Sequence, residues 1–168
     1  MRIRLLAAFL LSAALAAPSV FAQANPRGTA EATVGGATVS IEYGRPSLKG
    51  RDMLGMAQDG MVWRLGADQS TTLTTSADLD FGGTMVAAGS YSLFARKSGD
   101  GWVLLVNSQT GQWGTEHDPS MDIAEIPLMV HSGQMREQLT VVMGASGNEG
   151  MVHFEWGDTV LMATFTAG

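Results

Sequence analysis

Apolar and polar residues alternate with a period of two from Thr29 almost to the C-terminus, the spacing of strands with one buried face. In "ATVSIEY" (37–43), Val39, Ile41 and Tyr43 fall on one side and Thr38, Ser40 and Glu42 on the other. "VHFEW" (152–156) sets Val152, Phe154 and Trp156 against His153 and Glu155, and "TVLMATF" (159–165) offers Leu161, Ala163 and Phe165. "WVLLV" (102–106) is apolar on both sides and predicts a central strand. Gly35-Gly36, Gly82-Gly83, the Ser98–Gly101 tip and Gly157-Asp158 supply residues that tolerate the positive φ of tight hairpins. The pattern predicts an all-β fold, an antiparallel β-sandwich or barrel-like domain of about ten short strands.

Two stretches interrupt the alternation and predict long loops, where function concentrates. One runs from Arg45 to Met61, with Pro46 and one helical turn expected within "DMLGMA". The other runs from Asn107 to Ser120 around "GQWGTEHDPS".

The N-terminus follows a different pattern. Arg2 and Arg4 precede an apolar run from Leu5 to Ala17, and small residues follow in "APSVFAQAN", as in a secretory signal peptide. The expected division is a signal peptide over residues 1–24, cut after Ala22 or Ala24, and one β-sandwich domain over 25–168. The run is short of the roughly 20 residues that a membrane helix needs. The expectation is therefore a soluble protein of the periplasm or the medium, with no stable membrane insertion.

Charge and composition narrow the chemistry. Removing Arg2 and Arg4 leaves eight basic residues against 16 acidic ones, a net charge of −8, which argues against nucleic acid as a partner. The chain has no cysteine, so thiol catalysis, thiolate metal sites and a lipidated cysteine are excluded. It has no Gly-x-Ser-x-Gly elbow, His-Glu-x-x-His helix, phosphate loop or dinucleotide fingerprint. No cofactor and no metal site is expected. The methionines Met53, Met56 and Met61 read as gap-fillers under a loop rather than soft copper ligands. His153 and Glu155 share a strand face, a pattern that solvent exposure also explains.

The richest polar cluster surrounds "VWRLGADQST" (62–71). Arg45, Lys49, Arg51 and Arg64 place half of the basic residues of segment 25–168 within twenty positions, near Tyr43, Trp63, Asp68 and, from the second loop, Trp113 and His117. Planar faces beside forked donors suit a small polar or saccharide-like ligand. The same arginines could instead pin the loop to backbone carbonyls and nearby carboxylates. Both readings stay open at the level of sequence. A binding protein without catalysis is favoured. A hydrolase using His117 with Glu116 and Asp118 is the rival, and an envelope-protein interaction module is a third reading.

"EYGRPSLKGRDMLG", "VWRLGADQSTTL", "GGTMVAAGSYSLF", "QWGTEHDP" and "EWGDTVL" occur in that order, and together they resemble the exported bacterial family catalogued as domain of unknown function 2911. The resemblance spans about Arg27 to Thr166. Its pattern falls on Tyr43, Arg45, Pro46, Lys49, Gly50, Arg51, Trp63, Arg64, Gly66, Ala67, Thr72, Gly89, Tyr91, Trp113, Gly114 and Trp156. Asp68 stands where relatives often have Asn, and His117 where they often have Tyr, so a role needing an amide or a phenol there is put in doubt. The resemblance implies an exported β-domain and no particular reaction.

Overall fold

The computed structural model describes residues 25–168, so the signal-peptide expectation for residues 1–24 lies outside the described residues. Ten strands follow in order: β1 (Arg27–Val34), β2 (Ala37–Gly44), β3 (Val62–Trp63), β4 (Thr71–Thr75), β5 (Leu79–Asp80), β6 (Met85–Val86), β7 (Gly89–Ser98), β8 (Gly101–Asn107), β9 (Asp122–Ser146) and β10 (Glu149–Ala167). They form one antiparallel sheet in the order β1-β2-β4-β7-β8-β9-β10-β5-β6, with β3 paired to β7, and the sheet does not close into a barrel. The described residues contain no α-helix, only a 3₁₀ turn at Pro119–Met121. The helical turn expected in the first loop is a lone turn, in which the Met56 N–H donates to the Asp52 carbonyl at 3.2 Å.

The sheet folds over its own core because β9 belongs to two ladders. Its first residues, Asp122–Leu128, pair with β8, and its later residues pair with β10. Alternation then puts Val39, Ile41 and Tyr43 of β2, Leu73 of β4, Leu93 and Ala95 of β7, and Leu104 and Val106 of β8 into one interior with Phe154, Trp156, Leu161 and Phe165 of β10. Trp63 stacks on Trp156 with ring centroids 5.4 Å apart and meets Trp102 edge-on at 6.3 Å, so opposite parts of the sheet face each other.

β9 and β10 are long rather than short, and one expected hairpin is absent. Gly157 takes a positive φ of 66°, but within β10 it is a bulge, with register shifts against β9 on either side. The extra residue switches the buried face from the even positions Val152, Phe154 and Trp156 to the odd positions Leu161, Ala163 and Phe165. The strand thereby stays on the core through a bend.

β8 is apolar on both faces for an observable reason. Leu104 and Val106 face the core, whereas Leu105 is fully buried on the other side opposite Phe94 of β7. The second loop lies over that outer face: the His117 ring packs on Phe94 at 4.6 Å, and Gln112 bonds to Ser92.

Candidate functional site

The predicted residues separate into two neighbourhoods. The first follows β2, where "YGRPSLK" is stitched to β9. The Tyr43 hydroxyl accepts the Val141 N–H at 2.9 Å in the interior. Arg45 Nε donates to the Leu139 carbonyl at 3.3 Å, and the Gln138 carboxamide donates back to the Arg45 carbonyl at 3.2 Å. Backbone bonds run from Leu139 N–H to Pro46 O and from Leu48 N–H to Glu137 O. A side chain at position 28 would press on Arg45 Cδ at 2.7 Å and on the Tyr43 ring, so Gly28 leaves the room that both need. Lys49 is exposed, and its backbone N–H donates to the Glu137 carboxylate at 2.9 Å. Arg51 is exposed too, with Nε donating to the Leu48 carbonyl at 3.2 Å. These bonds occupy Tyr43 and Arg45 with the protein's own backbone, and the stack on Trp156 occupies Trp63.

The second neighbourhood joins the two polar stretches. Leu65 and Asp68 both adopt left-handed backbone, at φ 48° and 63°, which non-glycine residues hold only when their surroundings fix them. Here the Thr71 hydroxyl donates to the Leu65 carbonyl at 2.9 Å, and Gly114 N–H donates to the Asp68 carbonyl at 2.8 Å. Ser70 N–H donates to the Gln112 carbonyl at 3.1 Å, and Gln69 bridges to Trp113 in antiparallel fashion. Arg64 runs alongside, its Cδ within 2.8 Å of where a side chain on Gly114 would begin. Its guanidinium has no protein acceptor among the described residues.

This junction borders a groove of about 490 Å3 lined by Gln69, Gly111, Gln112, Trp113 and Glu116. The Trp113–Glu116 turn is held by the Glu116 N–H on the Trp113 carbonyl at 2.9 Å, while the Glu116 carboxylate accepts the Trp113 N–H at 3.3 Å. Next to Gln112, the Ser70 hydroxyl is buried without a hydrogen bond among the described residues. The wall thus combines the Trp113 indole, the Gln69 carboxamide and the Glu116 carboxylate with Gly111 and Gln112, whose own carboxamide is bonded to Ser92. Of these residues, sequence reading named only Trp113 as a ligand contact. Gln69, Gln112 and Glu116 become neighbours through a pairing between segments more than forty positions apart.

His117 is not among the lining residues. Its Nε2 lies 3.0 Å from both carboxylate oxygens of Asp122, which also accepts from the buried Asn107 carboxamide at 2.8 Å. Asp118 caps the 3₁₀ turn, and bonds from the Ser120 side chain and backbone hold its carboxyl below the usual carboxylate range. His153 Nδ1 is 3.8 Å from Glu155, whose other oxygen accepts from Arg136 Nε at 2.8 Å. Among the described residues no group of three or more His, Asp or Glu side chains is arranged to hold a metal ion. Nor is any helix among them long and apolar enough to cross a membrane.

The profile of the family described as Protein of unknown function (DUF2911) matches residues 25–165. The chain belongs to the DUF2911 family. No curated protein and no solved structure matches it. The match covers both neighbourhoods, and the sequence motifs divide between them: "EYGRPSLKG" stitches β2 to β9 in this DUF2911 protein, while "VWRLGADQ" gives the groove Gln69 and "QWGTEH" gives it Gln112, Trp113 and Glu116.

Proposed function

We propose that this DUF2911 protein is exported and binds a small polar ligand of the saccharide class in the groove beside Trp113, without catalysing a reaction. The observation that carries the reading is the groove's lining, where an aromatic face stands with the Gln69 carboxamide and the Glu116 carboxylate. An indole offers an apolar face to a sugar ring, and amides and carboxylates take its hydroxyls. Arg64 adds a guanidinium without a protein acceptor among the described residues, at the neighbouring turn. Against a hydrolase stands the position of His117, which packs on Phe94 and faces Asp122 rather than lining the groove. Export rests on the apolar run from Leu5 to Ala17.

The test is calorimetric titration of the processed protein with a panel of mono- and oligosaccharides, sugar acids and short peptides, alongside Trp113→Ala. A saccharide that binds the wild type should bind the variant about tenfold more weakly, since packing on an aromatic face contributes about 0.5–1.5 kcal/mol beyond the area it buries. The thermal midpoints of the two should agree within a few degrees. Equal binding by both proteins would remove the groove from the function.

A further inference from the structure

Asp68 presents an unmatched charge. The residue is 6% exposed, and every hydrogen bond to its carboxylate among the described residues comes from Asn25. The backbone nitrogen of Asn25 lies 3.0 Å from Oδ2, and its carboxamide Nδ2 lies 3.3 Å from Oδ2 and 3.4 Å from Oδ1. No cation forms an ion pair with Asp68 among the described residues. A buried carboxylate is costly unless a positive group faces it. The segment is also held in place immediately afterwards, because the Pro26 carbonyl accepts the Arg45 N–H at 2.7 Å before β1 begins.

The nearest donor to this carboxylate is the backbone nitrogen at one of the two expected cleavage positions. Ala22 and Ala24 fit the small-residue rule for a cut before Asn25. We infer that the leader is cut between Ala24 and Asn25, and that the α-ammonium released on Asn25 is the counter-ion of Asp68. The inference rests on the export reading above and adds the site of processing and its structural role.

The chemistry is hydrolysis by a leader-cleaving protease. Water adds across the amide, its hydroxyl going to the Ala24 carbonyl carbon and its proton to the departing Asn25 nitrogen. The resulting amine takes up a proton near neutral pH, as α-amines titrate at about 7.7–8.0. The nitrogen already at 3.0 Å thus changes from an uncharged amide donor to a cation with three N–H groups, without needing to move. A cut after Ala22 would leave Gln23 and Ala24 in front and keep that nitrogen an amide.

The experiment starts from the full precursor, expressed with its own leader in an exporting bacterium. Intact mass and N-terminal sequencing should show a chain beginning at Asn25. Recovery of the uncut precursor alone would overturn both the export reading and this inference, whereas a cut at any other bond would overturn this inference and leave export standing. The second measurement follows acylation of the α-amine in the folded protein by mass spectrometry, with an amine-reactive ester as probe. Pairing with Asp68 favours the protonated form, so the α-amine should react about tenfold or more slowly than in urea-unfolded protein. The exposed Lys49 provides the internal reference. Asp68→Asn should restore fast acylation. Equal rates in folded and unfolded wild type would overturn the inference without reliance on any variant.

Discussion

Tyr43→Phe removes a single oxygen from the interior and asks whether the phenol belongs to a ligand or to the fold's own backbone. The hydroxyl accepts the Val141 N–H at 2.9 Å, and Tyr43 is 3% exposed, so water cannot readily replace it. Leaving a buried N–H unpaired costs about 1–3 kcal/mol, more than the net contribution of an ordinary hydrogen bond. Unfolding entropy of about 2.1 cal/mol/K per residue gives roughly 0.3 kcal/mol/K for a chain of this size. The midpoint should therefore fall by about 3–10 °C. Differential scanning calorimetry reads that fall, and amide exchange at Val141 should accelerate in the native variant. Ligand affinity in the groove should not change. A midpoint within about 1 °C of wild type together with full protection at Val141 would refute the assignment of Tyr43 to the β2–β9 stitch.

Gly114→Val would place Cβ 2.8 Å from Arg64 Cδ and 2.9 Å from the Asp68 carbonyl, forcing the two polar stretches apart. Titration should show binding weakened by about tenfold, near 1.4 kcal/mol. Gly150→Ala would set Cβ 2.4 Å from the Phe165 ring, and such overpacking should lower stability in urea by about 1–3 kcal/mol. Arg96 meets Glu125 through two bonds of 3.0 and 2.6 Å, and the bond from Arg96 holds the Glu125 carboxyl below its usual range. A depressed carboxyl contributes stability that is present above its unfolded pKa of about 4.3 and is lost as pH falls through the folded value. With side chains 34% and 52% exposed, screening limits the effect to about 0.5 kcal/mol. Arg96→Gln should lower stability at pH 7 by about that amount in low salt and converge with wild type at pH 2 to 3.

Strand periodicity was legible because one face of each strand meets a single core. Val39, Ile41 and Tyr43 all lie within that core, as do Phe154 and Trp156. Gly157 misled for a physical reason: a bulge and a hairpin both use left-handed glycine, and only the switch from even to odd buried positions separates them. The outer face of β8 was readable as apolar, but its cover was not, since nothing local in Leu105 says that a loop beginning after Asn107 returns over it. The polar cluster mixed two neighbourhoods for a similar reason. An arginine bonding a carbonyl ninety-four positions away, as Arg45 does with Leu139, has the same local sequence as one facing a ligand. Gln69 and Gln112 carried no signal at all, because their roles come from the Gln69–Trp113 bridge.

The dual membership of β9 bears on how the molecule comes apart. Asp122–Leu128 complete the β8 ladder and the later residues complete the β10 ladder, so the same covalent strand terminates both layers. Separating the layers would require breaking that strand's pairing on one side while its continuation remains fixed on the other. The stitch from Pro46 and Leu48 to Leu139 and Glu137 ties β2 to the same strand a second time. There is thus no seam along which one layer can melt and leave the other intact, and local loosening should be confined to loops. Denaturation is then a single cooperative event, with the tryptophan stack and the backbone circular dichroism lost at one common midpoint.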